Sequence, residues 1–355
     1  MMRYRAQSVI RFAALVLSSL LLSWPMSQPG LTTEGATRTL PDPVASGGLR
    51  TAVHYVSPAG SDTGDGSAAH PWATIQHADR VVQPGGTVVV LNGIYSGDIL
   101  LRSSGTAGSP ITYVAQDKWQ AKLVGTASGD GTAVIRVTGG HLIIKNFDIT
   151  GTDAAGVLLA SSGTSASFNQ AIGNYVHDIT IPCDQNGGAG LNTGGGDNYS
   201  GISHDDFIGN LVVNIHGTPG CTTGVSAAGI YEAVPYGIVA NNIVINAGYA
   251  IQCWHNAHHE TISGNILANN LRGITVGAGD APGGISNDYT VVKDNVIVGS
   301  LSWAIAESGE TGRHNTYTDN MLFNNPSGIT LENGLAATGT IHSNGRPPAV
   351  TIPAP

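Results

Sequence analysis

Tyr249, Arg272 and Trp303 each stand directly before a short β-rich segment that opens on a small residue: Ala250-Ile-Gln-Cys, Gly273-Ile-Thr-Val and Ala304-Ile-Ala-Glu. Stacked as successive rungs, these segments set a cation between two aromatic rings. The first outward position of the same series holds Asn192, Tyr231, Gln252, Thr275 and Ala306, and Trp254 and His255 follow the far end of one segment. Sugars bind by laying apolar ring faces on aromatic side chains while amides take the hydroxyls. A guanidinium there would hold a uronate carboxylate, and His255 or Tyr231 would serve as base. The bland reading of the same residues is that Tyr249 and Trp303 pack under a loop with Arg272 stacked between them.

Other side chains suggest different chemistry. Phe168, His204, Tyr236, His259, Tyr289 and His314 recur upstream of successive repeats. They read either as an imidazole and aromatic stack at one corner or as part of a metal site. The metal reading would use His204, Asp205 and Asp206, or His255, His258, His259 and Glu260. Calcium prefers carboxylate oxygen, so Asp205 and Asp206 are the calcium candidates. A glycosidase needs two carboxyls roughly 5–9.5 Å apart. Glu232 and Glu307 share a column but stand three coils apart, roughly 14 Å, which excludes them as a pair. Glu307 and Glu332 fall on adjacent coils and remain open.

The elements that position these residues announce themselves through an asparagine. It returns at Asn174, Asn210, Asn242, Asn265, Asn295 and Asn320, in frames such as Ile-Gly-Asn-Tyr-Val, with gaps of 36, 32, 23, 30 and 25 residues. A constant core with a variable period is one structural unit repeated with loops of different length. The small-residue segments are its second strand. Ile230, Ile251, Ile274, Ile305 and Ile329 should point inward and their successors outward, since strand side chains alternate. Short sequential strands at this period predict a parallel β-helix, with the asparagines bonded in an internal ladder at a bend. Asn214, Asn246, Asn269 and Asn324, begun by Asp178, form a second column.

Composition agrees. Glycine makes up 49 of 355 residues and charged residues only 11%, which excludes a helical bundle. The net charge of −9 argues against a nucleic-acid partner. The first residues read as a signal peptide over 1–26, with basic Arg3, Arg5 and Arg11 before an apolar run too short for a comfortable membrane span. Residues 27–52 read as a flexible linker and 346–355 as a Pro-rich tail. Export permits a disulfide, and Cys183 and Cys221 lie in insertions of neighbouring repeats, so they are the expected pair, with Cys253 in the core.

Ahead of the repeats, Val53-His-Tyr-Val-Ser-Pro-Ala-Gly-Ser-Asp runs into Pro71-Trp-Ala-Thr-Ile-Gln and then Gln83-Pro-Gly-Gly-Thr-Val. Ile75, Ala78, Val81 and Val82 have helical spacing and predict a short capping helix. This stretch resembles the opening of secreted right-handed β-helix proteins of the family 9 pectate lyase type, best over residues 53–125. The resemblance implies a right-handed coil over 53–345 and a calcium-assisted lyase acting on uronic-acid polymers. Such lyases often use Lys or Arg as base. Here the only lysines are Lys118, Lys122, Lys145 and Lys293, and neither Lys145 nor Lys293 lies in an evident acidic metal cluster. The expectation is a secreted, periplasmic or cell-surface monomer acting on an acidic polysaccharide by β-elimination. The alternatives are a non-catalytic glycan-binding surface or matrix protein and, third, a glycoside hydrolase.

Overall fold

Short apolar-polar alternations, punctuated by Gly and Asn, yield strands of three to seven residues. The computed structural model describes residues 52–126, 133–159, 166–183, 188–194, 201–220, 227–279 and 286–347, all within the compact unit Thr51–Pro347. The expected signal segment and Cys221 lie outside the described residues, as do nearly all of the linker and most of the tail. The Cys183–Cys221 pairing therefore lies outside them too. Cys253 is a free, buried thiol.

The strands wind right-handed into three sheets of ten, ten and nine strands. The first sheet runs from Val53–Val56 to Thr316–Thr318, the second from Gly93–Ser96 to Ile341–Ser343, and the third from Ile99–Leu101 to Ser327–Thr330. Each coil visits them in that order, and each strand pairs in parallel with the next coil, for example Ile230 with Ile251 and Ile251 with Ile274. Ile230, Ile251, Ile274 and Ile305 are fully buried in the shared core. On the earlier coils the glycine before the inward aliphatic residue has a steric cause: a Cβ on Gly156 or Gly190 would come within 2.6 or 2.7 Å of Val176 or Val212 of the second sheet.

The asparagine ladder sits at the corner between the first and second sheets, 0–1% exposed. The Asn174 side chain donates to Ile144 O (3.0 Å), while its backbone N–H and side-chain N–H both donate to Asn210 Oδ1 (2.9 and 3.1 Å). The pattern repeats through Asn242, Asn265, Asn295 and Asn320. Each amide thereby satisfies backbone groups that the bend takes out of the sheets.

The capping helix spans Ile75–Val81. Thr74 caps it, its hydroxyl accepting from His77 N (3.1 Å), and Asp62 accepts from the N–H groups of Ala73 and Thr74 and from the Thr74 hydroxyl. The expected apolar face needs one correction. Val81 is 41% exposed, whereas Asp79 is buried. Ile75, Ala78 and Val82 recur at i, i+3 and i+7, and the residue that completes this face is i+4, Asp79, not i+6. Its carboxylate accepts from Arg102 N, Ser103 N and the Tyr113 hydroxyl, so the buried charge is compensated.

Replacing Asn242 with Ala strands the Asn210 N–H and the Phe207 carbonyl inside the core. An unsatisfied buried group costs about 1–3 kcal/mol, so Asn242→Ala should lose about 2–5 kcal/mol of unfolding free energy. Denaturant titration monitored by circular dichroism checks this; an unchanged midpoint would show that the ladder does not hold the coils.

Candidate functional site

The outer face of the third sheet carries the first cluster. Register places Tyr249 opposite Arg272, with Trp303 on the following strand. The Arg272 guanidinium carbon lies 4.4 Å from the Tyr249 ring centroid and 5.2 Å from that of Trp303. All three side chains are half-buried. With a ring on each face, the guanidinium has only its in-plane N–H edge left to present. That edge is the geometry that grips a carboxylate in bidentate fashion.

The floor is more closed than the alternation suggests. Gln252 is 8% exposed, Thr275 1% and Ala306 5%. The Trp303 indole N–H donates to the Thr275 hydroxyl (3.1 Å), closing one side of that floor. Gln252 is thus a support beneath the rims and not an open contact, a correction to its expected role. Asn192 and Tyr231 are in register at the next rungs and remain half-buried, as does Trp254. Trp254 takes its position from Gly279, where any Cβ would overlap the indole. Tyr231 and His255 meet edge-on, their ring centroids 6.2 Å apart at 67°.

Distances along the strand separate the expected partners. Arg272 shares the Tyr249 column at one end of the strand Tyr249–Cys253, whereas His255 lies in the turn beyond its other end. Tyr231 lies three residues along and two rungs across from Arg272, about 10 Å in each direction. The carboxylate clamp and the candidate bases therefore face different stretches of any bound chain.

The glutamates considered for hydrolysis face the other way. Glu232 is in register with Cys253, and Glu307 with Val276, in a column that lines the core. Both oxygens of Glu307 are already engaged, by Asn315 and Tyr317 on one side and Glu332 N on the other. This corrects the Glu307–Glu332 alternative: Glu307 is a structural acid, 4% exposed.

Asp205 and Asp206 are neighbours in sequence and diverge in space. Asp205 Oδ1 accepts from Asn169 N (2.8 Å), whereas Asp206 accepts from Gln170 Nε2 (2.8 Å) and Ile238 N (3.2 Å). Consecutive residues entering a strand point to opposite faces. Their side chains do not converge on one calcium ion, so the donor set does not fit that ion. Among the described residues no group of three or more His, Cys, Asp or Glu side chains is arranged to hold a metal. His204 and His259 belong instead to a continuous stack of His141, Phe168, His204, Tyr236, His259, Tyr289 and His314, with successive centroids 4.4–5.0 Å apart.

A second cluster escaped the sequence reading. On the outer face of the second sheet His177 donates or accepts through both ring nitrogens, to Asp148 Oδ1 (2.9 Å) and Asp178 Oδ2 (2.8 Å). Asn214 donates to the other oxygen of Asp178 (2.9 Å), and Asn246 donates to Asn214 (2.8 Å). Lys122 lies 3.9 Å from Asp148, and Tyr175 stacks on His177 at 4.1 Å. The available signal was the second amide column, which Asp178 begins. Burial pulls the His177 pKa down, but the hydrogen bonds and charges of Asp148 and Asp178 outweigh it and hold the imidazole above its ordinary value. Burial raises Asp178, but its bonds to His177 and Asn214 hold it below the usual carboxylate range.

Comparison with known proteins follows the fold. Residues 54–213 match the family described as the Pel9A-like, right handed beta helix region. The protein YwoF of Bacillus subtilis (strain 168), itself described as uncharacterized, is 28% identical over 141 residues, covering 37% of this chain and 30% of that protein. The match thus spans under a third of that relative's length. Among solved structures, an alginate lyase from Paenibacillus sp. str. FPU-7 superposes with a TM-score of 0.55 at 16% identity, covering 76% of this chain and 92% of that one. Pectate lyase Pel9A gives 0.54 at 16% identity, covering 83% and 78%. Residues 54–213 thus resemble the Pel9A-like region, and the chain shares the right-handed β-helix fold of these solved structures. At these identities the likeness shows the fold. The Arg272 cluster lies beyond residue 213, outside the matched region.

Two outcomes follow. Gly279→Ala places a side chain on the Trp254 indole and in a backbone with φ of 57°, and should cost about 1–3 kcal/mol in denaturant unfolding. A raised His177 pKa contributes stability below about pH 6.5, the unperturbed imidazole value, and loses it as pH rises through the raised value. The lowered Asp178 pKa contributes above about pH 3.9 and is lost as pH falls through the depressed value. Thermal melts of wild type and His177→Gln should therefore differ most between those limits and converge in alkali. A difference that persists unchanged at high pH would mean packing, not charge, supplies it.

Proposed function

We propose that this is a secreted, carbohydrate-active β-helix protein that binds a uronate-containing polysaccharide on the outer face of its third sheet and cleaves it by β-elimination. The observation that carries the proposal is the Arg272 guanidinium held between the Tyr249 and Trp303 rings on the outer face of the third sheet. A uronate presents both features that such a clamp selects, a carboxylate for the N–H edge and an apolar ring face for the aromatics. In the elimination, a base removes the proton from the carbon next to the carboxylate. The pair of electrons forms the new double bond, and the bond to the neighbouring sugar oxygen breaks. Arg272 anchors the bound chain through the carboxylate of a sugar some distance from the reacting one. Tyr231 or His255 supplies the base, and no step here runs through calcium.

A second reading, a non-catalytic glycan-binding protein, is favoured by the spacing of the site. The clamp and the Tyr231–His255 corner lie about 10 Å apart along the strands and about 10 Å across them. In that reading the corner is a further sugar contact.

Incubation with pectate, alginate and other polyuronates, followed by absorbance of the unsaturated product, separates the two. The lyase reading expects product with wild type and its loss in Arg272→Ala, with thermal stability nearly unchanged because a rim residue opens no cavity. Binding without product assigns the protein to the non-catalytic class. Reduced melting temperature with intact binding would make Arg272 structural and overturn both.

A further inference from the structure

The position two residues before the inward residue of each first-sheet strand is itself interior. It holds Asn169, Asp205, Gly237, Glu260, Thr290 and Asn315 on successive coils. Most members pass a hydrogen bond along the column: Asn169 N donates to Asp205 Oδ1, and Thr290 N to Asn315 Oδ1. Gly237 interrupts the chain because it has no side chain to accept. Facing this gap is the inward column at the far end of the third-sheet strands, with Thr193, Glu232 and Cys253 on successive coils.

Glu232 and Glu260 both turn into that gap. Each is 0% exposed. A Cβ at Gly237 would lie 2.6 Å from Glu260 Oε2 and 3.4 Å from the carboxyl carbon of Glu232. Glu232 Oε2 accepts from the Thr193 hydroxyl (2.8 Å), while Glu232 Oε1 and both oxygens of Glu260 have no hydrogen-bond partner. The titratable groups that act on the pair are Asp205, Asp206 and the Cys253 thiol, and all of them are acids. Two carboxylates at this depth, with these acids beside them, are stable inside a protein when they carry protons.

We propose that Glu232 and Glu260 form a neutral, protonated acid pair inside the solenoid, and that their ionisation in alkali loosens the coils beneath the third sheet's outer face. Burial, then Glu260, then Asp205 and Asp206 push Glu232 well above the usual carboxylate range. Burial does the same to Glu260. The nearby Gly237 N–H, which makes no geometric hydrogen bond to it, offsets only part of that rise, and Asp206 and Asp205 add to it. An acid whose folded pKa is raised contributes stability that is fully present below its unfolded value. That contribution is lost as pH rises through the folded value. The coupling to the outer face is covalent and direct. Glu232 follows Tyr231, and its carbonyl accepts from Trp254 N (2.8 Å).

The test is infrared spectroscopy of the full chain across a pH titration, with thermal melts in parallel. The proposal expects a carboxylic-acid carbonyl band at neutral pH that shifts in D2O and shrinks in both Glu260→Gln and Glu232→Gln. It also expects the wild-type band to vanish in alkali together with near-ultraviolet circular dichroism. The melting temperature should fall less from neutral to alkaline pH in the variants than in wild type. If neither variant folds, simultaneous loss of band and tertiary signal in wild type still decides for the proposal. Absence of an acid band at neutral pH would overturn it. So would a melting temperature lowered by EDTA, which would mean an ionised pair holding a metal, or a band that titrates with no change in stability.

Discussion

A bent backbone must satisfy its polar groups, and in this protein one buried amide per coil does so. The asparagine ladder takes the N–H and carbonyl groups that leave the sheets at the first corner and bonds them to the next coil. An amide can do this because it donates and accepts at once, in both directions along the stack. The ladder fixes the coils from Asn174 to Asn320 in register with one another, whatever the length of the loops between. Insertions of very different size can therefore leave the core unchanged, as solenoid stacking allows.

Register turns sequence into distance. Residues at equivalent positions stand about 4.8 Å apart on adjacent coils, and residues along one strand about 3.3 Å apart. This is what sets Arg272 between Tyr249 and Trp303 although the three are far apart in the chain. It also separates Arg272 from His255, which belongs to an adjacent coil but to the opposite end of the strand. The same rule builds the seven-ring stack at the third corner and the hydrogen-bonded row from Asp148 through His177, Asp178 and Asn214 to Asn246 on the second sheet.

Columns were legible in the sequence because spacing alone defines them: the ladder, the inward isoleucines, the ring stack and the Tyr249–Arg272–Trp303 series all follow from alignment of the repeats. Which side of the wall a polar column faces was less legible. Glu232 and Glu307 look like surface acids by composition, yet they share an inward column with Cys253 and Val276. Asp205 and Asp206 look like a ligand pair, yet strand alternation sends them apart. Asp79 was hidden for a related reason, since a charged residue reads as exposed until its partners from Arg102, Ser103 and Tyr113 are known. The His177 cluster draws its members from different coils, and its Asp148–Tyr175 column continues as aliphatic Leu211 and Ile243, so spacing alone does not single it out. In each case the missing information was a partner from another coil.

The central claim is that the edge of Arg272, held between Tyr249 and Trp303, addresses a carboxylate of an acidic polysaccharide. A crystal structure of the protein with a uronate oligomer tests it most directly. The account predicts a carboxylate in the plane of the Arg272 guanidinium, with a sugar ring against Tyr249 or Trp303. An oligomer seated on the second sheet around His177, with the Arg272 edge turned to solvent, would contradict it.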